Sequence, residues 1–189
     1  MPLPQLSAPR SKSHQILSWL VTLLSVLLCT LALHTRFPGM TLMGLGPNWL
    51  LIWLVAWSLK RPVLIATIAG VAVGFLQDAV TIPSQVASLA PSLTPTHAIG
   101  MGIAGGLTAM LQKQRYMQED FISVALIVFG MAVISETALA IQLALIVKNF
   151  ATVWTLQQRV ALGSAILSSL WSPVLHFPMS RYWRSLETN

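Results

Sequence analysis

Long apolar stretches alternate with short basic segments along the whole chain. Six of these stretches are long enough, or nearly so, to cross a hydrocarbon layer of about 30 Å at a rise of about 1.5 Å per residue. They cover residues 16–33, 41–59, 63–82, 96–111, 121–147 and 160–177. The pattern predicts an all-α integral membrane protein, with a bundle of six transmembrane helices over residues 16–178 and terminal tails at residues 1–15 and 179–189.

The basic residues give the predicted bundle an orientation. With the amino terminus inside, eight lysines and arginines fall in inner segments and three in outer segments, and the outer loop at residues 83–95 has none. The inner eight are Arg10, Lys12, Lys60, Arg61, Lys113, Arg115, Arg181 and Arg184, and the outer three are Arg36, Lys148 and Arg159. Because an excess of basic residues marks the cytoplasmic side, both tails are predicted to be cytoplasmic.

The composition excludes several classes of protein. Charged residues make up 8% of the chain and hydrophobic residues 55%, whereas a soluble domain is about 25% charged, so a soluble enzyme of ordinary design is excluded. The net charge of +6 comes from basic residues that lie beside apolar stretches. In that position they indicate membrane topology rather than nucleic-acid binding. Cys29 is the single cysteine, which excludes an intramolecular disulfide framework and a cysteine-based metal cluster.

The first span is predicted to be a retained helix, since its apolar length of 18 residues exceeds the range of about 7–15 for a cleaved signal.

Two acidic residues lie within the predicted spans. Asp78 is near the outer end of the third span, where it either stays hydrated at the interface or pairs with His97, which opens the fourth span at the same level. Glu136 lies just past the middle of the fifth span, where a charge facing lipid costs about 2.5–3.5 kcal/mol. We expect Glu136 to hold helices together or to contact a partner; a proton- or cation-handling site is the alternative.

Small residues and tryptophans mark two kinds of helix face. Ala66, Gly70 and Gly74 form a small-residue face on the third span, and Gly102 and Gly106 form one on the fourth, so these two helices are predicted to pack closely through them. Trp49, Trp53 and Trp57 form a stripe on the second span. Such a stripe either faces lipid or the membrane interface, or docks a partner protein.

Sequence motifs typical of enzymes are absent from the chain. It has no Gly-rich phosphate loop, no Gly-x-Ser-x-Gly elbow and no His-Glu-x-x-His zinc motif. Its four histidines lie on separate segments without the spacing of metal ligands. We therefore expect no catalytic residues, no cofactor and no metal. A membrane enzyme that uses Asp78 or Glu136 as an acid or base has only these two isolated carboxylates in its favour.

One segment resembles a known family. It contains Pro47-Asn48-Trp49-Leu50-Leu51-Ile52-Trp53, then Lys60-Arg61-Pro62, then Gly70-x-x-x-Gly74-Phe75-Leu76-Gln77-Asp78. This run is similar to the rod shape-determining protein MreD family, in which a Pro-x-hydrophobic second span and a basic-Pro corner precede a third span that ends in a Gly-containing motif with Asp. The size, the six predicted spans and the internal termini agree with that family.

The resemblance implies a function and partners. It implies a non-catalytic subunit of the cell-elongation machinery in the bacterial inner membrane, helping to organise peptidoglycan synthesis. The implied partners are the bitopic protein MreC and, through it, MreB, RodA and a class B penicillin-binding transpeptidase, with membrane lipid around the helices and no nucleic acid. MreD-like chains also resemble in fold the substrate-binding subunits of energy-coupling-factor vitamin transporters, and such a transporter subunit is the alternative function.

Overall fold

The described part of the chain is entirely α-helical in its regular structure. The computed structural model describes residues 12–35, 46–81, 96–113, 121–148 and 150–187. The helices in these ranges are α1 (Lys12–His34), α2 (Trp49–Ser58), α3 (Val63–Thr81), α4 (His97–Lys113), α5 (Phe121–Val147) and α6 (Phe150–Glu187). The outer loop at residues 83–95 lies outside the described residues.

Four of these helices contain apolar segments long enough to cross a membrane. The segments are Ile16–Leu33, Val63–Thr81, Phe121–Ile146 and Val153–Arg181. The first three agree closely with the spans predicted from the sequence. The remaining two helices, α2 and α4, are apolar but shorter, with 10 and 17 residues. The fold is thus all-helical with four candidate membrane spans in the described ranges.

The second span begins later than the sequence suggested. It was expected to start near residue 41 and to include Pro47, but α2 starts at Trp49 and residues 41–45 lie outside the described residues. Pro47 precedes the helix, and the Asn48 side chain caps its amino terminus by accepting a hydrogen bond from the Leu51 backbone N–H (3.1 Å). At about 1.5 Å per residue, the ten residues of α2 reach about 15 Å.

The last helix is longer than the sequence suggested. The span expected at residues 160–177 is the middle of one continuous helix, Phe150–Glu187, that contains Pro173 and Pro178. Its first turns carry Gln157, Gln158 and Arg159, which hide the helix from a search for apolar stretches but are good helix formers. Much of the expected carboxy-terminal tail is therefore helical. Lys148, with a positive φ of 56°, follows the last residue of α5 in the left-handed conformation that often terminates a helix.

Helix α2 is the centre of the bundle. All ten of its residues are buried, and it contacts each of the other five described helices. A helix that is apolar all round belongs in a protein core or in lipid, and here neighbouring helices enclose it. The closest pairs around it are α3 with α4 and α5 with α6, whereas α1 packs chiefly against α2.

The predicted small-residue faces of α3 and α4 lie against each other. A Cβ added at Gly70 would overlap the Met101 backbone, and one at Gly74 would lie 2.6 Å from the Ala98 backbone nitrogen. From the α4 side, a Cβ at Gly106 would lie 2.6 Å from the Thr67 hydroxyl oxygen. The remaining predicted members also belong to this contact, since Ala66 meets Gly105 and Gly102 meets Val71. The glycines let the two backbones approach to a distance that any larger side chain would prevent.

Candidate functional site

Asp78 joins the end of α3 to the start of α4. Its carboxylate lies 2.5 Å from Nδ1 of His97 and accepts a hydrogen bond from the His97 backbone N–H, which is 3.0 Å from both carboxylate oxygens. The Asp78 side chain is only 7% exposed, so it is not the hydrated interfacial acid that the sequence left open. The contact with His97, the other expectation, is confirmed. The carboxylate also faces the positive end of the α4 dipole, which stabilises it there.

Gln142 of α5 holds the same helix start from the other side. Its side-chain oxygen accepts a hydrogen bond from the Thr96 backbone N–H (3.1 Å), and its side-chain nitrogen donates to the Thr96 carbonyl (3.0 Å). Residues on α3 and α5 therefore fix two consecutive backbone positions at the amino end of α4. Few side chains offer both a donor and an acceptor for such a double contact.

Glu136 lies on α5 within electrostatic reach of His97. It is 8% exposed, and its neighbour Ser135 lies where α4 and α5 approach most closely, because a Cβ at Gly100 would be 2.6 Å from the Ser135 carbonyl oxygen. The five residues Asp78, Thr96, His97, Glu136 and Gln142 are called the polar junction below. They bring α3, α4 and α5 together.

The polar junction has the chemistry of a helix clamp. The Asp78 carboxylate binds the backbone N–H and the ring of His97, and the Gln142 amide binds both backbone polar groups of Thr96. Among the described residues, no group of three His, Cys, Asp or Glu side chains is placed to hold a metal ion. Buried polar groups in a bundle stabilise it when they are paired in this way, since an unpaired one costs free energy.

The three tryptophans of α2 face the interior of the chain. Trp49, Trp53 and Trp57 are each at most 7% exposed, so they do not form a stripe on the outer surface of the bundle, where the surrounding lipid or a docked partner was expected to cover them. Trp49 packs on Trp171 of α6 with ring centroids 5.7 Å apart, and Trp53 stacks on Trp57 at the same distance. The rings are buried because α1 and α6 cover the face of α2 that carries them.

A hydrogen bond connects α1 to this tryptophan face. The Trp53 indole N–H donates to the Ser25 hydroxyl (2.8 Å), which in turn donates to the Thr22 carbonyl (2.7 Å). Apart from Cys29, which is buried, α1 exposes most of its surface. The indole–hydroxyl bond is thus a specific polar contact that sets the position of α1.

Replacing Trp53 by phenylalanine should loosen α1. The change keeps most of the ring area and removes the N–H donor, so we expect a loss of about 1 kcal/mol in unfolding free energy. The loss should appear as a drop of a few degrees in the unfolding temperature of the purified protein in detergent. Trp19→Phe is the matched control, since Trp19 on α1 is 68% exposed. Equal unfolding temperatures for the two variants would contradict the assignment.

A cavity of about 470 Å³ opens between α1, α2 and α6. Its walls are Val21, Thr22, Ser25, Leu28, Cys29 and Ala32 of α1, the three tryptophans of α2, and Leu175, Pro178 and Met179 of α6. We call this cavity the tryptophan crevice. Arg61 lies at one end of it, with its guanidinium 5.0 Å from the centre of the Trp57 ring. The crevice therefore has apolar walls and a cation beside one end.

Three of the contacts that hold the bundle together were not foreseen from the sequence. Gln142 was missed, although a lone amide in an apolar span is a signal for an inter-helix hydrogen bond. Asn48 was noted only within a motif, yet its backbone N–H also donates to the Ser168 hydroxyl of α6 (2.9 Å). The Trp53–Ser25 bond gave no sequence signal, because serines are common in membrane helices.

Comparison with known proteins identifies no relative of this chain. Neither a scan against protein-family models nor searches of curated proteins and of solved structures found a match. The proposed function therefore rests on the residues of this chain and their geometry.

Proposed function

We propose that this chain is a non-catalytic scaffold subunit of the bacterial cell-elongation machinery, related to the MreD family. In this role it lies in the inner membrane and binds an MreC-like bitopic protein. Through that protein it associates with MreB, RodA and a class B penicillin-binding transpeptidase, and so helps to organise peptidoglycan synthesis.

The proposal is supported by the structural roles of the residues that resemble the MreD motif. Asn48 caps the central helix, Gly70 and Gly74 make the closest helix contact, and Asp78 clamps the start of α4. The motif residues thus serve helix packing, which is what a scaffold that presents its outer surface to other proteins requires. The carboxylate of Asp78 binds both the backbone N–H and the ring of His97, so it fixes the start of α4.

The proposal includes six membrane passages and cytoplasmic termini. The 17 residues of α4 reach about 25 Å, and α2 is enclosed by helices long enough to span, so both fit at membrane depth. The proposed fold is that of energy-coupling-factor substrate-binding subunits, which MreD-like chains resemble. Cysteines placed at the two ends of the chain in a Cys29→Ala background should react with a membrane-impermeant maleimide only after the cells are opened. Labelling of either end in intact cells would refute this orientation.

Co-purification is the direct test of the scaffold role. The tagged full chain, extracted from its native membrane in mild detergent, should retain an MreC-like protein. Deletion of the gene should give rounded cells that the wild-type chain restores to rods. A chain that retains no such protein and whose loss leaves cell shape unchanged is not this scaffold.

A ligand-binding measurement distinguishes the alternative function, a vitamin-binding transporter subunit, from the scaffold function. A ligand that binds only the folded protein raises its unfolding temperature, and above its Kd the rise grows with the logarithm of the ligand concentration. The transporter hypothesis requires such a concentration-dependent rise with one vitamin. The scaffold hypothesis requires that no vitamin in a panel raises the unfolding temperature and that the chain retains the MreC-like partner.

Glu136→Gln should be tolerated in cells. The amide has nearly the shape of the carboxylate, and the proposed role of Glu136 is to hold helices together, which does not require a charge. We expect the variant to restore rod shape at normal expression, measured as the length-to-width ratio of complemented cells. Complete loss of complementation with normal amounts of protein in the membrane would instead show that the charge is essential.

A further inference from the structure

The tryptophan crevice has the length of a lipid tail. Trp49 and Trp57, which both line it, are eight residues apart on α2, or about 12 Å along the helix axis. One leaflet of a bilayer has a hydrocarbon depth of about 15 Å, half of the full thickness. The volume of about 470 Å³ lies in the range of small-molecule sites. An extended hydrocarbon chain along the crevice would therefore be enclosed over most of its depth in the leaflet.

A buried donor in the wall of the crevice lacks an acceptor. The Trp57 indole N–H has no hydrogen-bond partner among the described residues, and Trp57 is only 7% exposed. The indole N–H of Trp53, one turn away, has an acceptor, since it donates a hydrogen bond to the Ser25 hydroxyl. An unmet buried donor costs about 1–3 kcal/mol. The indole nitrogen is covered in this conformation, so an oxygen of a bound molecule at the Trp57 end would remove that cost once the ring turns its N–H toward the crevice.

The same end of the crevice is basic. Arg61 stacks on Trp57, Lys60 precedes it, and Arg181 follows the crevice residue Met179 by two positions. None of the residues that line the crevice is charged, including Trp49 and Ala32 at the opposite end. An occupant that fits must therefore have an apolar part about one leaflet long and an anionic, oxygen-rich part at one end.

We infer that the tryptophan crevice binds an anionic phospholipid. An acyl chain lies along Trp49, Trp53 and Trp57, an ester or phosphate oxygen accepts the Trp57 N–H, and the phosphate charge lies beside Arg61. A transmembrane helix of a partner is the poorer fit, because its backbone acceptors are already used within the helix and an apolar helix brings no anion. The inference does not depend on the scaffold role, since it uses only the geometry of the crevice.

The test measures lipid retention by the full chain. Protein stripped of lipid in detergent is titrated with dioleoyl phosphatidylglycerol, with dioleoyl phosphatidylcholine or with free glycerol 3-phosphate, and bound molecules are counted by native mass spectrometry. We expect one phosphatidylglycerol to bind about tenfold more tightly than phosphatidylcholine, the difference of one charge-assisted contact. Glycerol 3-phosphate, which lacks the tail, should not be retained.

Two variants test the basic end and the apolar part of the crevice separately. Arg61→Gln should lower the affinity for phosphatidylglycerol to that for phosphatidylcholine without changing the latter. Ala32→Phe places a ring in the crevice and should abolish retention of both lipids, whereas Leu31→Phe on the adjacent, 55% exposed position should retain them as the wild type does. Unfolding temperature and elution volume report whether each variant is folded, and Arg61→Gln tests the site even if Ala32→Phe does not fold.

Four results of the binding measurements would overturn the inference. They are equal affinities of the wild type for the two lipids, an unchanged preference in Arg61→Gln, undiminished retention in a folded Ala32→Phe, and retention of glycerol 3-phosphate alone. A photo-cross-linking amino acid at Leu28, which lines the crevice and is 58% exposed, tests the occupant in the native membrane. Cross-links to lipid support the inference, and cross-links only to a polypeptide contradict it.

Discussion

Gly70→Leu should abolish the folded protein. A Cβ at this position would already overlap the Met101 backbone, so the side chain would have to push α3 and α4 apart along their whole contact. Overpacking a well-fitted interior costs about 1–3 kcal/mol, and more where the obstacle is backbone. Since native proteins are stable by only about 5–15 kcal/mol, we expect the yield of monodisperse protein to fall by about tenfold or more.

The chain offers a matched control for this substitution. A Cβ at Gly130 of α5 would meet nothing within 4 Å, so Gly130→Leu changes the same residue type within a helix at an open position. Helix propensity favours the new residue by up to about 1 kcal/mol, and the variant should be as abundant as the wild type. The measurement is the monodisperse peak in detergent at equal membrane expression. Similar yields for Gly70→Leu and Gly130→Leu would refute the assignment of the α3–α4 contact.

The sequence predicts those features that depend on one local pattern. The length of the apolar stretches located α3 and α5, and the spacing of Gly70 and Gly74 identified the face of α3 that meets α4. The contact between Asp78 and His97 was predictable because one residue is near the end of a helix and the other starts the next, at the same depth. Each of these inferences needs only helix geometry and the cost of a charge in lipid.

The burial of the tryptophan stripe was not predictable in the same way. A spacing of four residues places Trp49, Trp53 and Trp57 on one side of α2 but gives no direction, because α2 has no polar face to mark the outside. The start of α2 was misplaced for a related reason. The apolar residues before Pro47 extend the hydrophobic stretch, whereas the cap made by Asn48 sets where the helix begins.

Contacts between distant residues lie beyond local patterns. Gln142 reaches Thr96 across 46 positions, and Asn48 reaches Ser168 across 120. Each of these residues taken alone is an ordinary polar side chain. Only the packing of α2 against α6, and of α4 against α5, brings the pairs together, and that packing depends on the shape of the whole bundle.

Asp78→Ala should be among the most destabilising substitutions of a polar residue in the described chain. It removes the acceptor of the His97 backbone N–H and the partner of the His97 ring in one step. Removing an acceptor from buried hydrogen-bond donors costs about 2–3 kcal/mol, and we expect a drop of about 5–10 °C in unfolding temperature in detergent. Asp78→Asn keeps an oxygen for the backbone N–H, so its loss should be about half as large.

Thr81→Val separates this effect from any change at the end of α3. The Thr81 hydroxyl donates only to the Gln77 carbonyl one turn earlier in its own helix, and its loss should cost less than about 0.5 kcal/mol. The order of unfolding temperatures should therefore be wild type and Thr81→Val, then Asp78→Asn, then Asp78→Ala. If Asp78→Ala unfolds at the temperature of Thr81→Val, the carboxylate does not hold α4 in place. If Asp78→Asn and Asp78→Ala are equally unstable, the charge of Asp78 rather than its hydrogen bond to the His97 backbone stabilises the junction, because the amide retains that acceptor.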